Sequence, residues 1–360
     1  TEFYSSLPLD AGLWAAIREY AGSPEAAALP GVRKRYLSRT VDSFRRHGAE
    51  LDPPGKARLA AIEVELGQLT TRFGENVLDA TNAFELVVAD ESKLAGLPPS
   101  AVAAARQSAA GKGLSGWRFT LQAPSYTAVM TYLDDADIRE RIWRAHATRS
   151  SSGSFDNRQI LRRIVELRLE KATLVGYRDF ADFATADRMA KTGERARTFL
   201  EELRARTEPH FQRENRELED FRGAPLKPWD VAYWAERLRK SLYDFDEEAL
   251  RPYFPLEQVV EGMFEIARRL FGVRITEDCG VPVWHPQVRC YSVRDEDGAL
   301  LGSFYADWHP REDKRGGAWM DALVTGVQRP TGLEPHVGVI CGNLTPPCGS
   351  SPVGRWTPVT

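Results

Sequence analysis

The strongest constraint on the fold is the helical spacing of apolar residues that runs from Leu51 to about Phe271. After Leu51, apolar side chains recur three or four positions apart on one face until about Val77. Asp52 and two prolines stand before this run, and these residue types favour the first positions of a helix. The pattern predicts one long amphipathic helix and, because the same period continues to about Phe271, a mainly α protein with a helical body.

Four further helices are predicted from the same period and from the glycines that follow it. Gly176 and Gly272 stand where two of these helices should end, because glycine readily adopts the left-handed conformation of a helix terminus. The four helices are expected at 154–174, from 192 through at least 211, at 230–242 and at 255–271.

The pattern changes after Gly272, where β-branched and aromatic residues become frequent. Asp297 and Gly298 separate two extended runs, 288–294 and 299–305, which is typical of a hairpin. A last apolar run at 337–341 predicts one more strand. We therefore expect a small β-sheet near the C-terminal end, with a helical domain at 1–272, a β-containing segment at 273–347 and a tail at 348–360.

Composition excludes several classes of function. The chain has 48 basic and 51 acidic residues and a net charge of -3, so no global field attracts nucleic acid. No run approaches the roughly 20 apolar residues that a membrane span requires. The four cysteines, which include no C-x-x-C pair, do not suggest a disulfide scaffold. We expect a cytoplasmic protein that binds neither nucleic acid nor membrane; the cysteines are Cys279, Cys290, Cys341 and Cys348.

One glycine motif invites a nucleotide-binding interpretation. Gly111, Gly113 and Gly116 match the pattern G-x-G-x-x-G. That motif binds phosphate when it follows a strand and opens a helix. Here an alanine-rich helical stretch precedes it and a strand-like segment, 117–121, follows it. The order favours a turn from helix to strand.

No metal site stands out among the histidines. None of the six histidines begins an H-E-x-x-H motif, in which two imidazoles four positions apart face one metal. Cys279, His285, Cys290 and His309 form a looser group in the β-containing region. Their spacing matches no familiar metal site and no third group orients a cysteine–histidine pair for catalysis, so ordinary loop and strand roles are favoured.

The segment Lys314-Arg-Gly-Gly-Ala-Trp-Met-Asp321 is unusual because two basic residues precede a glycine pair and a tryptophan. In isolation it fits either an anion-binding loop or a tight connection, and the connection is favoured.

This segment also carries a specific resemblance. Together with the earlier blocks Gly302-Ser-Phe-Tyr-Ala-Asp307 and Val281-Pro-Val-Trp-His-Pro286, it resembles the region ahead of the active site in the oligopeptidase A and thimet oligopeptidase family of zinc metallopeptidases. Upstream blocks at 121–126, 228–234 and 253–256 are similar to family segments in the same order. The resemblance covers about residues 1 to 347.

The resemblance implies a mostly helical, monomeric protein split by a deep channel, which cleaves oligopeptides with one zinc ion. In that family zinc is held by H-E-x-x-H and a later glutamate, and this sequence has no such motif. We therefore assign no catalytic or metal residue, expect no zinc on this chain, and expect it to be inactive alone. The tail at 348–360 does not resemble the family, which suggests a shifted or truncated reading frame after Pro347.

The resemblance places the strand at 337–343 near the channel. If it lies at the edge of the sheet, its backbone can pair with an extended peptide. This hypothesis assigns substrate binding to Val339, Ile340, Cys341, Gly342 and Asn343, against the alternative of an ordinary interior strand. The competing function is a non-catalytic helical protein that binds peptides or acts as a scaffold.

Overall fold

The structure is a computed structural model that describes residues 2–244 and 247–346. The predicted tail at 348–360, including Cys348, lies outside the described residues. Helices account for most of the described chain, which confirms the mainly α fold class.

The helices are α1 Glu2–Ser6, α2 Ala11–Ala21, α3 Pro24–Ala27, α4 Gly31–Arg46, α5 Pro53–Asn82, α6 Pro99–Ala110, α7 Ala123–Tyr132, α8 Ala136–Ala147, α9 Arg158–Leu174, α10 Phe180–Thr185, α11 Gly193–Arg222, α12 Val231–Tyr243 and α13 Leu256–Phe271. The strands are β1 Glu85–Val88, β2 Trp117–Thr120, β3 Arg274–Glu277, β4 Arg289–Arg294, β5 Leu300–Asp307, β6 Trp319–Val324, β7 Val327–Arg329, β8 Gly332–Glu334 and β9 His336–Cys341.

The long helix predicted after Asp52 is α5. The Asp52 carboxylate accepts a hydrogen bond of 2.8 Å from the Gly55 backbone N–H, and Leu59 and Ile62 are buried on the predicted apolar face. The helix expected from 154 begins later, at Arg158, because Gly153–Phe155 forms a turn of 3₁₀ helix.

The chain divides into two units, each with its own buried residues. The first unit comprises residues 1–77 and 150–214. Its core includes Trp14 of α2, Ile62 of α5 and Leu167 of α9. Ion pairs also join α5 to α9, as in the bidentate contact of Arg58 with Glu170 at 2.5 and 2.7 Å. These charges are partly exposed, so the packed apolar side chains contribute most of the stability.

The second unit comprises residues 78–149 and 215–360. Strands β1 and β2 form an antiparallel pair, and helices α6, α7 and α8 pack against its apolar face around the buried Phe119, Leu133 and Ile142. The predicted boundary at residue 272 stays a prediction.

The same unit contains a five-stranded mixed sheet in the order β3-β4-β5-β9-β6. The predicted hairpin is confirmed: β4 and β5 pair antiparallel, and Gly298 in their turn has a φ of +84°. Strand β9 pairs parallel with β5 and antiparallel with β6. Among the described residues, strands β3 and β6 are therefore the two edges of this sheet.

Helix α13 covers one face of the sheet and ends, as predicted, at Gly272. Its Leu256 and Val260 pack with Tyr291 of β4 and Ala306 of β5, all of them buried. This contact fixes β5, the strand from which the site described below is built.

Candidate functional site

The residues of the oligopeptidase-like segment gather at the carboxyl end of β5, in a buried cluster of charges. Asp307 is the last residue of β5 and is 2% exposed. Arg311 donates two hydrogen bonds of 2.7 Å, one to each carboxylate oxygen of Asp307. The Trp284 indole N–H donates to Oδ2 at 3.2 Å. Asp307 is thus held by Trp284, which precedes β5 in the sequence, and by Arg311, which follows it.

Lys314 completes this cluster with its ammonium group. Its Nζ lies 3.1 Å from Asp307 Oδ1 and 2.7 Å from the Asp307 carbonyl oxygen. It also reaches the carbonyl oxygens of His309 at 2.9 Å and Gly342 at 2.8 Å. All donors of the ammonium are used inside the protein, so Lys314 is not free to bind an external anion.

The electrostatics of Asp307 follow from these partners. Burial raises the pKa of the carboxyl group, but hydrogen bonds from Arg311 and Lys314 outweigh burial and lower the pKa to about 2. Asp307 is therefore a structural anion at neutral pH, with no tendency to act as a general acid.

The same cluster fixes the chain that follows β9. The Gly342 N–H donates to the Asp307 carbonyl oxygen at 2.8 Å, and the Leu344 N–H donates to the Trp308 carbonyl oxygen at 2.8 Å. His309 Nδ1 lies 3.2 Å from the Leu344 carbonyl oxygen. Burial lowers the pKa of His309, which favours the neutral ring with its proton on Nδ1.

Glu312 holds the loop between β5 and β6 through a second set of contacts. Its carboxylate is 3.0 Å from Lys112 Nζ and 3.3 Å from Arg118 Nη2, and its carbonyl oxygen accepts from the Asn82 amide. The hydrogen bond from Lys112 lowers the pKa of Glu312, with a further contribution from Arg118. The loop is thus held at Glu312 and at Lys314.

Beyond these anchors the loop opens. Arg315, Gly316 and Gly317 are exposed, and Gly317 has a φ of +96°. The Arg315 guanidinium carbon lies 6.0 Å from the centre of the Trp319 ring, at the start of β6. The interpretation of 314–321 as a tight connection fits Lys314, whose side chain is buried. Arg315 is exposed, so its charge lies at the surface.

The structure corrects the expected position of β9. Its strand lies between β5 and β6, so the interior alternative holds and the edge position is wrong. The edge position is taken instead by β6, which begins within the segment 314–321. Of the five predicted residues, Val339, Cys341 and Gly342 are buried, whereas Ile340 and Asn343 are half-buried. The Gly342 carbonyl oxygen also accepts a hydrogen bond from Lys314. Their role in substrate binding stays a prediction.

The edge beside β9 is β6, which the sequence analysis did not identify. Met320, Leu323 and Val324 of this strand are 76%, 54% and 53% exposed. The pairing with β9 is irregular between Ala322 and Val324, and the Asp321 carboxylate accepts a hydrogen bond of 2.8 Å from the Ala322 N–H. The apolar and β-branched residues after Gly317 were the signal that could have revealed this strand.

The group considered as a metal site does not assemble. Cys279 is exposed, Cys290 is buried in β4, and His285 Nδ1 accepts from the Gln287 N–H at 3.2 Å. Within 2–244 and 247–346 no three histidine, cysteine or acidic side chains are placed to share a metal ion. The described residues therefore do not fit a zinc ion, and we derive no chemical step through one.

The glycine motif at 111–116 also lies in this unit. Helix α6 ends before Gly111 and β2 begins at Trp117, in the order predicted. The motif makes the turn between them.

These features define a mainly helical protein with a mixed sheet that has an open edge and a buried charge cluster at one end. The model of Peptidase family M3 matches residues 129–353, which is more than half of the chain. The chain belongs to this peptidase family.

Three curated relatives are similar to this chain over most of its length. Oligopeptidase A of Haemophilus influenzae is 38% identical over 95% of this chain and 52% of its own length. The organellar oligopeptidase A of Arabidopsis thaliana is 39% identical over 94% of this chain and 45% of its own. Dipeptidyl carboxypeptidase of Escherichia coli is 32% identical over 99% and 54%. The chain spans about half the length of these curated relatives.

Proposed function

We propose that this chain supplies one wall of the peptide-binding channel of an oligopeptidase of family M3. The observation that carries the proposal is the open edge of β6, next to the cluster around Asp307, in a chain that belongs to a peptidase family. An extended peptide can add to such an edge through backbone hydrogen bonds. The names of the relatives, oligopeptidase and dipeptidyl carboxypeptidase, support oligopeptides as the substrate class.

The proposal places the peptide at residues 319–321 of β6, before the Ala322 N–H. Pairing beyond this point is disfavoured because the bulge interrupts the strand and the Asp321 carboxylate already occupies the Ala322 N–H. The five residues predicted to bind substrate, 339–343, then lie on β9 or directly after it, one strand away from the peptide. Asn343 follows β9 and is half-buried, and we propose that it contributes to the channel wall.

Zinc enters the proposal through the family, since M3 peptidases are zinc-dependent in general. The sequence contains no H-E-x-x-H motif, and the described side chains do not form a metal site. We therefore propose that this chain alone binds no zinc and does not hydrolyse peptides.

We also propose that the chain is a cytoplasmic monomer that binds neither nucleic acid nor membrane. The nearly balanced charge of the sequence supports the absence of nucleic-acid binding. The cytoplasmic location is supported by a probable cytosolic oligopeptidase A of Arabidopsis thaliana, which is 39% identical to this chain. No described helix is long and apolar enough to cross a bilayer.

The experiment that tests this function combines elemental analysis with hydrolysis of a quenched fluorescent oligopeptide. We expect no stoichiometric zinc and no turnover, with or without a chelator, together with saturable binding of an uncleavable peptide. Stoichiometric zinc with chelator-sensitive turnover would contradict the proposed inactivity. Failure to bind any peptide would contradict the channel-wall function.

The second candidate is a non-catalytic protein that binds peptides or acts as a scaffold. The lack of a group of metal-binding side chains within residues 2–244 and 247–346 favours it. The two functions differ in what happens when the remaining family sequence is supplied. If fusing the metal-binding half of an oligopeptidase A relative to this chain creates zinc-dependent hydrolysis, the channel-wall proposal holds. If peptide binding persists but no fusion is active, the scaffold is favoured.

A further inference from the structure

Arg315 lies in the loop that leads into β6, four residues before Trp319. The neighbouring cations are neutralised inside the protein: Arg311 and Lys314 both bind the buried Asp307. The nearest acid in the sequence, Asp313, lies 3.5 Å from Arg311. Within the described part of the chain, no carboxylate forms an ion pair with Arg315, which is exposed.

Arg315 is also held in place. It follows directly after Lys314, whose ammonium group is fixed by four oxygen atoms, and its guanidinium lies over the Trp319 ring. Cation–π contact of this kind orients a guanidinium while leaving its donors free.

Space is available beside this charge. A Cβ atom built on Gly316 or on Gly317 would meet no atom within 4 Å. The two glycines thus leave an open backbone surface between Arg315 and the first residue of β6. A small terminal group of a bound chain fits there without displacing a side chain.

The direction of an added strand decides which end of a peptide meets Arg315. A peptide that pairs antiparallel to β6 runs from the Val324 side towards Trp319, so its carboxyl terminus lies beside the start of β6. A parallel peptide would place its N-terminal ammonium there, next to a like charge. The charge of Arg315 therefore favours the antiparallel direction.

We infer that Arg315 binds the C-terminal carboxylate of a peptide that adds antiparallel to β6. Arg315 is then a specificity-determining residue that favours peptides ending within a few residues of Trp319. The inference rests on the proposed peptide binding at β6. The guanidinium suits this role because its planar donors match the two oxygens of a carboxylate.

The test compares two N-terminally labelled hexapeptides of identical sequence, one with a free C-terminal carboxylate and one with a C-terminal amide. Binding is measured by fluorescence anisotropy with the wild-type chain, with Arg315→Gln and with Arg315→Lys. The matched control is Arg274→Gln, since Arg274 is an exposed arginine on β3, the opposite edge of the same sheet.

We expect the wild-type chain to bind the acid about three- to fivefold more tightly than the amide, the range typical of an exposed ion pair. Arg315→Gln should bind both peptides with the affinity of the amide. Arg315→Lys should restore part of the preference, and Arg274→Gln should retain all of it.

The outcomes separate the two proposals. Equal binding of acid and amide by the wild-type chain would overturn the role of Arg315 and leave peptide binding intact. Loss of the preference in Arg274→Gln as well would overturn it too, because the preference would then reflect overall charge. Absence of binding by both peptides would overturn the proposed function and this inference together.

Discussion

At the scale of single residues, removing one member of the buried pair of Asp307 and Lys314 should destabilise the fold strongly. Both side chains are almost fully buried, at 3% and 5% exposure. Replacing Lys314 by Met leaves the buried Asp307 carboxylate with the Arg311 guanidinium but without the Lys314 ammonium. It also removes the hydrogen bond that Lys314 donates to the Gly342 carbonyl oxygen. Removing one partner of a buried ion pair costs about 3 kcal/mol or more.

The measurement is the free energy of unfolding of Lys314→Met in urea. Lys112→Met is the matched control, because Lys112 pairs with Glu312 of the same loop but is about half exposed, at 48%. The control should lose less than about 1 kcal/mol. Equal losses in the two variants would mean that the buried cluster does not stabilise the fold.

The low pKa of Asp307 makes a prediction about acid stability. Its folded pKa of about 2 lies below the ordinary 3.8, so its contribution is fully present above about pH 4 and is lost as the pH falls towards 2. The difference between the wild-type chain and Asp307→Asn should therefore narrow by about 2 kcal/mol between pH 5 and pH 2.

Urea unfolding at several pH values measures this narrowing. Asp313→Asn is the control, since its carboxylate is 83% exposed and the variant should follow the wild-type curve. A constant difference between wild type and Asp307→Asn would contradict the electrostatic account of the cluster.

At the scale of elements, the glycine motif between α6 and β2 has a structural reason. Gly116 has a φ of +93°, and a Cβ atom there would overlap the carbonyl oxygen of Val88 on the neighbouring strand. Gly113 also has a positive φ, +69°, but a Cβ atom there meets nothing. Of these two glycines, only Gly116 is therefore required by packing as well as by its backbone conformation.

Thermal or urea unfolding of two alanine variants tests this difference. Gly116→Ala should lose about 2–4 kcal/mol, because backbone strain and overlap add, while Gly113→Ala should lose about 1 kcal/mol from strain alone. If Gly113→Ala proved as costly as Gly116→Ala, the turn would not be explained by the contact with β1.

The edge strand β6 should also be protected against pairing with other copies of the chain. It exposes Met320, Leu323 and Val324, and the Asp321 carboxylate lies on its backbone at the Ala322 N–H. Charged groups and bulges at an edge discourage sheet extension between molecules. Replacing Asp321 by Ala removes the charge and frees the amide.

We therefore expect Asp321→Ala to self-associate at lower concentration than the wild-type chain, as measured by light scattering. Asp313→Ala removes the same charge from the adjoining loop, away from the strand, and should behave as wild type. Equal association of both variants would attribute the effect to net charge rather than to the edge.

At the scale of the whole molecule, the sequence predicted the elements that have a strong local signal. The helical period and its terminal glycines predicted α5 and α13, and the Asp297-Gly298 turn predicted the hairpin of β4 and β5. The family was predicted from blocks that span most of the chain. These signals depend on residues close together in the sequence.

The order of the strands could not be predicted in the same way. Whether β9 lies inside or at the edge depends on pairing between segments separated by connecting loops, and no local pattern records it. The role of Lys314 was hidden for the same reason, because its acceptors are contributed by β5, by the loop and by the residue after β9. The corrected edge and the free Arg315 follow only from the assembled sheet.

The most direct test of the account is backbone hydrogen exchange, with and without a saturating uncleavable peptide. We expect slower exchange in residues 319–321 of β6 when the peptide is present, with no change at the opposite edge, Arg274–Glu277. Protection that appears at the β3 edge, or peptide binding that leaves 319–321 unchanged, would contradict the claim that β6 is the peptide-binding edge.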